Sequence, residues 1–196
     1  MSPEARIYSD SAGYELYQQM LEDEIARIKS GAIGLSDDDG QWAPQINLGV
    51  SVLIPETYVA DLDVRLGLYR RLSALTKKVE LEGFAAELID RFGPLPKEVN
   101  TLMLIVRIKA MCKRAGISQL DGGPKGATIR FHNDKFASPK GLVEFIQDQK
   151  GMAKVKDNKI VVGREWKTEA DKIKGAFAIA KDLAEKVAEE KKSKQA

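Results

Sequence analysis

The sequence has little of the residue types on which most catalytic and metal sites depend. Its 196 residues include one cysteine and one histidine, and aromatic residues make up 7%. A single cysteine excludes an intramolecular disulfide and a thiolate cage for a metal, and it suits a reducing cytosol. A single histidine excludes every metal motif that needs two imidazoles. The chain therefore has few side chains available for chemistry.

A surplus of one charge and a long apolar run are also missing. Lys and Arg number 31 against 29 Asp and Glu, so the net charge is +2. This balance argues against a domain that coats DNA or a membrane. No apolar run approaches the ~20 residues of a membrane span, and no signal peptide is evident. With 43% hydrophobic residues, we expect a folded, cytoplasmic protein.

Nucleotide-binding and hydrolase motifs are absent from the sequence. Neither the P-loop pattern G-x-x-x-x-G-K-[ST] nor the nucleophile elbow G-x-S-x-G occurs. The segment Gly122–Gly126 (GGPKG) is a weak candidate for binding phosphate, and a lone histidine such as His132 is usually a surface or packing residue. Cys112 lies in an apolar segment, where a thiol generally acts as a small buried hydrophobe. We predict no cofactor, no metal and no active site.

Hydrophobic periodicity predicts one strand and then three helices. Apolar residues alternate strictly from Ile46 to Ile54, as in a strand with one buried face, and Pro55 ends it. Helical stripes follow over 62–75, 81–92 and 96–114. The third stripe is apolar nearly all round, which predicts the central helix of the domain.

Beyond Gly116 the pattern changes to short strands and further helices. The predicted elements are strands at 117–120 and 128–131, a helix with Ser138 as its N-cap, a hairpin turning at Asp157–Asn158, and a last helix from Trp166. Helices and strands thus come in runs. This order predicts an α+β fold: a connector helix, then a compact mixed domain in which a three-helix run and short strands or hairpins pack with further helices.

We expect four parts along the chain. Residues 1–12 show no period and form a disordered or cloning-derived start. Residues 13–45 combine a connector helix with an acidic, Gly-rich linker, which we expect to be flexible. Residues 46–190 form the compact domain, and 191–196 (KKSKQA) form a frayed tail.

The helix over 81–92 has the most informative charge pattern. At ~100° per residue its apolar side chains face the core, whereas Glu87, Asp90 and Arg91 cluster on one flank. Glu87 and Arg91 are four residues apart and can pair, although such a pair adds little at a wet surface. The pattern fits a solvated flank, or a surface that offers carboxylates to a partner bearing arginine.

Two long and irregular motifs carry a resemblance to a known family. LIPETYVADLDVRLGLYRRL (Leu53–Leu72) and ELIDRFGPLPKEV (Glu87–Val99) are similar to the C-terminal domain of the bacterial transcription-repair coupling factors. Upstream, GYELYQQMLEDEI (Gly13–Ile25) resembles the helix that leads from the motor of those proteins into this domain. The similarity is dense as far as Gly116 and thin afterwards.

The resemblance implies a regulatory domain separated from its motor. Members of this family are ATP-dependent DNA translocases that remove RNA polymerase stalled at damage and recruit repair proteins through UvrA. The resemblance implies that the C-terminal domain docks on a UvrB-like module of the same protein and hides its UvrA-binding surface, as an autoinhibitory clamp. The family's contact uses an E-x-x-D-R segment, which matches Glu87, Asp90 and Arg91 here.

Two other functions stay open on the sequence. The basic stretch 125–159 could bind nucleic acid or an accessory repair protein. Alternatively, Gly122–Gly126 and His132 could form the site of a small standalone enzyme.

Overall fold

A computed structural model describes residues 20–22, 42–50 and 52–195. The elements within these residues are β1 (Gln45–Asn47), α1 (Leu62–Ala74), α2 (Lys78–Phe92), α3 (Lys97–Ala115), β2 (Ile117–Gly123), β3 (Gly126–Phe131), a 3₁₀ turn (His132–Asp134), α4 (Pro139–Asp148), β4 (Ala153–Lys156), β5 (Lys159–Gly163) and α5 (Glu169–Gln195). The predicted start and most of the predicted connector and linker lie outside the described residues. Residues 20–22 of the connector are helical, and Leu21 packs against the core.

The strands form a single mixed sheet in the order β1-β2-β3-β5-β4. β1 pairs with β2 in parallel, and the other neighbours are antiparallel. Asp157 and Asn158 turn the β4–β5 hairpin with φ of +51° and +58°, the left-handed pair that a type I′ turn requires. Helices and antiparallel strands thus occur in runs, and the predicted α+β class is confirmed.

Helix α3 is the central helix, as its apolar pattern predicts. It contacts α1, α5, β1 and β2. Leu102, Ile108 and Cys112 on different turns of α3 are all 0% exposed. Gly116 ends the helix in the left-handed conformation, with φ of +72°.

The first predicted strand is too long. Only Gln45–Asn47 pair with β2, although Leu48, Val50, Val52 and Ile54 continue the alternating burial. Gly49 has a φ of +60°, which turns the chain out of the extended conformation and ends the ladder. Beyond Gly49, Val50, Val52 and Ile54 pack into the core, and none of the three is paired with another strand.

The last helix begins three residues later than predicted. Thr168 and Asp171 form a reciprocal cap: the Thr168 N–H donates to Asp171 Oδ2 at 2.9 Å, and the Asp171 N–H donates to Thr168 Oγ1 at 3.1 Å. Trp166 therefore precedes α5 and packs against Gly175, where an added Cβ would lie 2.1 Å from the indole ring.

Helix α5 continues through residues 191–195, for which the sequence pattern predicts a frayed tail. Lys194 Nζ lies 3.1 Å from Glu190 Oε1 one turn earlier, and such a pair supports the last turn of a helix. Among the described residues, no helix is both long and apolar enough to cross a membrane.

Replacing Phe84 tests the orientation of α2. Its ring is 4% exposed on the inner face, so we expect Phe84→Ala to lower the free energy of unfolding by about 3–5 kcal/mol, measured by urea denaturation. Val79→Ala is the matched control, because Val79 lies on the same helix and is 76% exposed. The control should change stability by less than about 0.5 kcal/mol. Equal effects of the two variants would mean that the helix faces the other way.

Candidate functional site: the outer face of helix α2

Helix α2 is fixed at both of its ends. The Glu80 carboxylate accepts hydrogen bonds from the Thr76 and Lys77 N–H groups at 3.2 and 3.0 Å, and these bonds lower its pKa. At the other end Gly93 has a φ of +89°, and its N–H donates to the Ile89 carbonyl at 2.9 Å. Gly93, the residue before Pro94, therefore ends α2 at a defined position.

The side chains of Tyr58, Tyr69 and Arg65 connect residues 54–60 to helices α1 and α2. The Tyr58 hydroxyl lies 3.1 Å from the Leu88 carbonyl and 2.9 Å from the Gly93 carbonyl, at the end of α2. The buried Tyr69 hydroxyl of α1 accepts from the Ile54 N–H at 2.5 Å. Arg65 is 5% exposed and donates to the Val59 carbonyl at 2.5 Å. These polar contacts hold residues 54–60 against α1 and α2.

The outer face of α2 is the helix surface that carries Val79, Gly83, Ala86 and Asp90. All four are exposed, and Val79 is 76% exposed. Spacings of three and four residues place them on one face, opposite the buried Leu81, Phe84 and Leu88. Ile89 beside them is 49% exposed. Small side chains in the middle of this face let another backbone approach α2 closely.

An ion-pair network borders this face on the side of α1. Arg71 of α1 forms a bidentate pair with Glu87, with Nη1–Oε1 at 2.8 Å and Nη2–Oε2 at 2.6 Å. Arg91 Nη1 donates to Glu87 Oε1 at 3.0 Å. The guanidinium carbon of Arg71 lies 5.3 Å from the centroid of the Phe84 ring. That of Arg91 lies 4.8 Å from the centroid of the Phe92 ring. The Glu87 carboxylate thus joins two helices and orients two arginines.

The network changes the acidity of its members. Hydrogen bonds from Arg71, and then from Arg91, lower the pKa of Glu87 to about 2. The same contact with Glu87 raises the pKa of Arg71. The Glu87 side chain is 33% exposed and the Arg71 side chain 53%. Solvent therefore weakens these attractions, and the network orients the groups more than it stabilises the fold.

The three predicted contact residues occupy two different places. Glu87 and Arg91 pair as their spacing predicts, but the Glu87 carboxylate is engaged within the chain by Arg71. Asp90 lies on the outer face and makes no ion pair among the described residues. Arg71 was not predicted as part of the site. In the sequence, Arg71 is marked only by the basic doublet Arg70–Arg71, and this doublet does not indicate which acidic residue lies opposite.

Gly122–Gly126 and His132, which could form the site of a standalone enzyme, lie at opposite ends of one strand. Gly126 begins β3 and His132 follows its end, about 20 Å away at ~3.4 Å per residue. Pro124 and Lys125 form the β2–β3 turn, and their carbonyls accept from the Trp166 and Arg164 N–H groups at 3.0 and 3.1 Å. GGPKG and His132 therefore do not form one site.

The side chains of His132 and Cys112, the two other candidates for chemistry, are held in packing contacts. The His132 ring stacks on the Trp42 ring, with centroids 4.4 Å apart and planes 13° apart. Burial raises the pKa of the Cys112 thiol to about 12, so it is not a nucleophile. No cluster of three or more His, Cys, Asp or Glu side chains suited to a metal ion occurs in residues 20–22, 42–50 and 52–195.

Comparison with known proteins agrees with the sequence motifs. Residues 48–142 match the family model described as the TRCF domain. This chain belongs to the transcription-repair coupling factor family. It is 45% identical over 150 residues to the transcription-repair-coupling factor of Rickettsia conorii, covering 76% of this chain and 13% of that protein. It is 31% identical over 140 residues to the Escherichia coli protein of the same name, covering 71% of the chain and 12% of the relative.

The fold agrees with that of a solved structure. The crystal structure of the C-terminal domain of a transcription-repair coupling factor superposes with a TM-score of 0.61 at 18% identity, covering 76% of this chain and 96% of that one. The TRCF domain described here thus has the fold of that domain, and it is distinct from a motor domain.

Acid should remove the contribution of the Glu87 network to the stability of the TRCF domain. Because the pKa of Glu87 falls from 4.5 to about 2 on folding, the network stabilises the domain above pH 4.5. This contribution is lost progressively as the pH falls from 4.5 towards about 2. The melting temperature of Glu87→Gln should therefore lie below that of the wild type at neutral pH and converge with it near pH 2. Glu189→Gln, at an exposed position on α5, is the control and should track the wild type throughout.

Proposed function

We propose that this TRCF domain is a non-catalytic docking module that regulates a transcription-repair coupling factor. In this proposal it binds the UvrB-like module of the protein it belongs to and covers the surface that UvrA needs. The release of stalled RNA polymerase and the recruitment of UvrA are activities of the whole factor. The domain affects them indirectly, by closing and opening this contact in the cytoplasm.

The observation that carries the proposal is the uncovered outer face of α2. A helix whose opposite face is fully buried is rigid, so it can present this surface without reordering on binding. Val79 and Ile89 supply exposed apolar area, while Gly83 and Ala86 leave room for close approach. Such a face suits contact with another protein better than contact with a small molecule, because it is convex.

Asp90 and the Glu87 network have different roles in this proposal. Asp90 extends from the outer face and can accept a charge-assisted hydrogen bond from an arginine of the partner. Glu87 already accepts from Arg71 and Arg91, so it acts by holding those guanidinium groups in place beside the contact. The partner surface should then combine an arginine that meets Asp90 with acceptors that meet Arg91.

The surroundings of the reactive residues support a non-catalytic role. The Cys112 thiol is 0% exposed, and His132 is stacked on Trp42. An activated nucleophile needs a base within hydrogen-bond reach, and neither side chain has such a neighbour among the described hydrogen bonds. The proposed function therefore depends on a surface and not on a reaction.

Substitutions on the outer face test the proposal. We expect the chain to bind the separately produced UvrB-like module of its parent, measured by isothermal titration calorimetry. Ala86→Tyr should abolish close approach and weaken binding at least tenfold. Asp90→Ala should weaken it by about 2–5 kcal/mol if the partner's arginine is desolvated. In the full-length parent both variants should raise the affinity for UvrA, because weakening the closed state favours the open one.

The matched controls are Ala170→Tyr and Glu189→Ala, which likewise add one tyrosine or remove one carboxylate at exposed positions of α5. All four variants should keep the free energy of unfolding within about 1 kcal/mol of the wild type. The proposal is wrong if the wild-type chain does not bind the module, or if folded Ala86→Tyr and Asp90→Ala bind as the controls do. Unchanged UvrA affinity in the full-length variants would contradict the autoinhibitory role.

A further inference from the structure

The outer face of the sheet carries a row of like charges. The antiparallel register places Arg130 of β3 opposite Lys159 of β5, and Lys159 opposite Lys156 of β4. Lys154 lies two residues before Lys156, on the same side of β4. With strands about 4.8 Å apart, the four backbone positions fall within a patch about 10 Å across. We name these four residues the basic sheet face.

The burial pattern shows that no described helix covers this side of the sheet. Ile129, Ile160 and Val162, whose side chains point to the opposite side, are 0–2% exposed. Arg130, Lys154 and Lys156 are exposed, and Lys159 is half-buried. Helices α3, α4 and α5 contact the sheet, and this burial places them on the apolar side.

No acid among the described residues compensates the basic sheet face. Within the described part of the chain none of its four residues takes part in an ion pair. The acid on the same side of the neighbouring strand, Asp121, accepts hydrogen bonds from Asn47 and Gln119, both at 2.7 Å. Like charges directly opposite each other destabilise a sheet. The row therefore lowers the stability of the hairpin unless an anion lies over it.

We propose that the basic sheet face binds the phosphate backbone of double-stranded nucleic acid. The proposal is independent of docking through α2, because it concerns different elements. A protein partner fits this face less well: lysine is depleted from protein interfaces, whose centres are apolar or aromatic. Here the exposed apolar side chain within the patch is Val161, at 37%.

The same composition argues against binding through stacked bases. Among the described residues of β3, β4 and β5, no side chain on this side is aromatic, so these strands offer unpaired bases nothing to stack on. The contact is therefore independent of sequence, favours duplex over single strands, and depends on release of counterions from the backbone. Four cations give only weak affinity alone. The parent protein would raise the effective concentration of the domain at any duplex to which it is already bound.

Binding of the full 196-residue chain to a fluorescein-labelled random duplex tests the proposal by fluorescence anisotropy at low salt. The logarithm of the association constant should fall with the logarithm of salt concentration with a slope of about −3 to −4. Lys154→Gln with Lys156→Gln and Lys159→Gln should weaken binding at least tenfold and reduce the slope to about −1. The control triple Lys174→Gln, Lys191→Gln and Lys192→Gln on α5 makes the same change in net charge and should weaken binding less than twofold.

Lys159→Glu separates lost binding from lost folding. It places a carboxylate between Arg130 and Lys156, so its melting temperature should rise while its affinity for duplex falls. The proposal is overturned if the wild-type chain does not bind duplex at low salt, or if both triple variants weaken binding equally. It is also overturned if polyglutamate of matched charge displaces the duplex as well as unlabelled duplex does, because the face would then accept acidic polypeptide. Preference for single strands of equal length would overturn it too.

Discussion

Helix α3 is enclosed by α1 on one side and by α5, β1 and β2 on others. The stripes of α1 and α5 and the inner side of the sheet need an apolar partner, and α3 is the element that meets all of them. The apolar run Leu102–Val106 makes this possible, because a helix with a single apolar stripe could cover one layer only. Burial of α3 therefore joins the helical run to the sheet.

This arrangement decides which surfaces are left for partners. The inner side of α2 is used up by Leu81, Phe84 and Leu88, and the inner side of the sheet by residues such as Ile129 and Ile160. The outer faces stay available for contacts with partners, because their composition is free of the demands of the core. The outer face of α2 has small side chains at its centre and one charged residue, Asp90. The basic sheet face carries four cationic residues.

Features that depend on near neighbours could be predicted from the sequence. The α1–α3 stripes, the Ser138 cap and the turn at Asp157–Asn158 each depend on residues within about one helical turn or hairpin, so local patterns suffice. Contacts between distant segments could not be predicted. Arg71 pairs with Glu87 across two helices, and Asn47 lies beside Asp121 at a separation of 74 residues. The same applies to the basic sheet face, since only the register brings Arg130 and Lys159 together.

The two outer faces differ in how they depend on ionic strength. At physiological salt the Debye length is about 8 Å, so attraction between a phosphate backbone and exposed lysines weakens steeply as salt rises. In the proposed docking, contact through Val79, Gly83 and Ala86 depends on apolar area and shape, which salt does not screen, and a desolvated pair between Asp90 and an arginine is screened less than exposed lysines are. Among the described residues no hydrogen bond or ion pair joins α2 to β3, β4 or β5, so changes on one face should act independently of the other. Under the two proposals together, the domain would keep its contact with the parent protein while it gains or loses contact with nucleic acid.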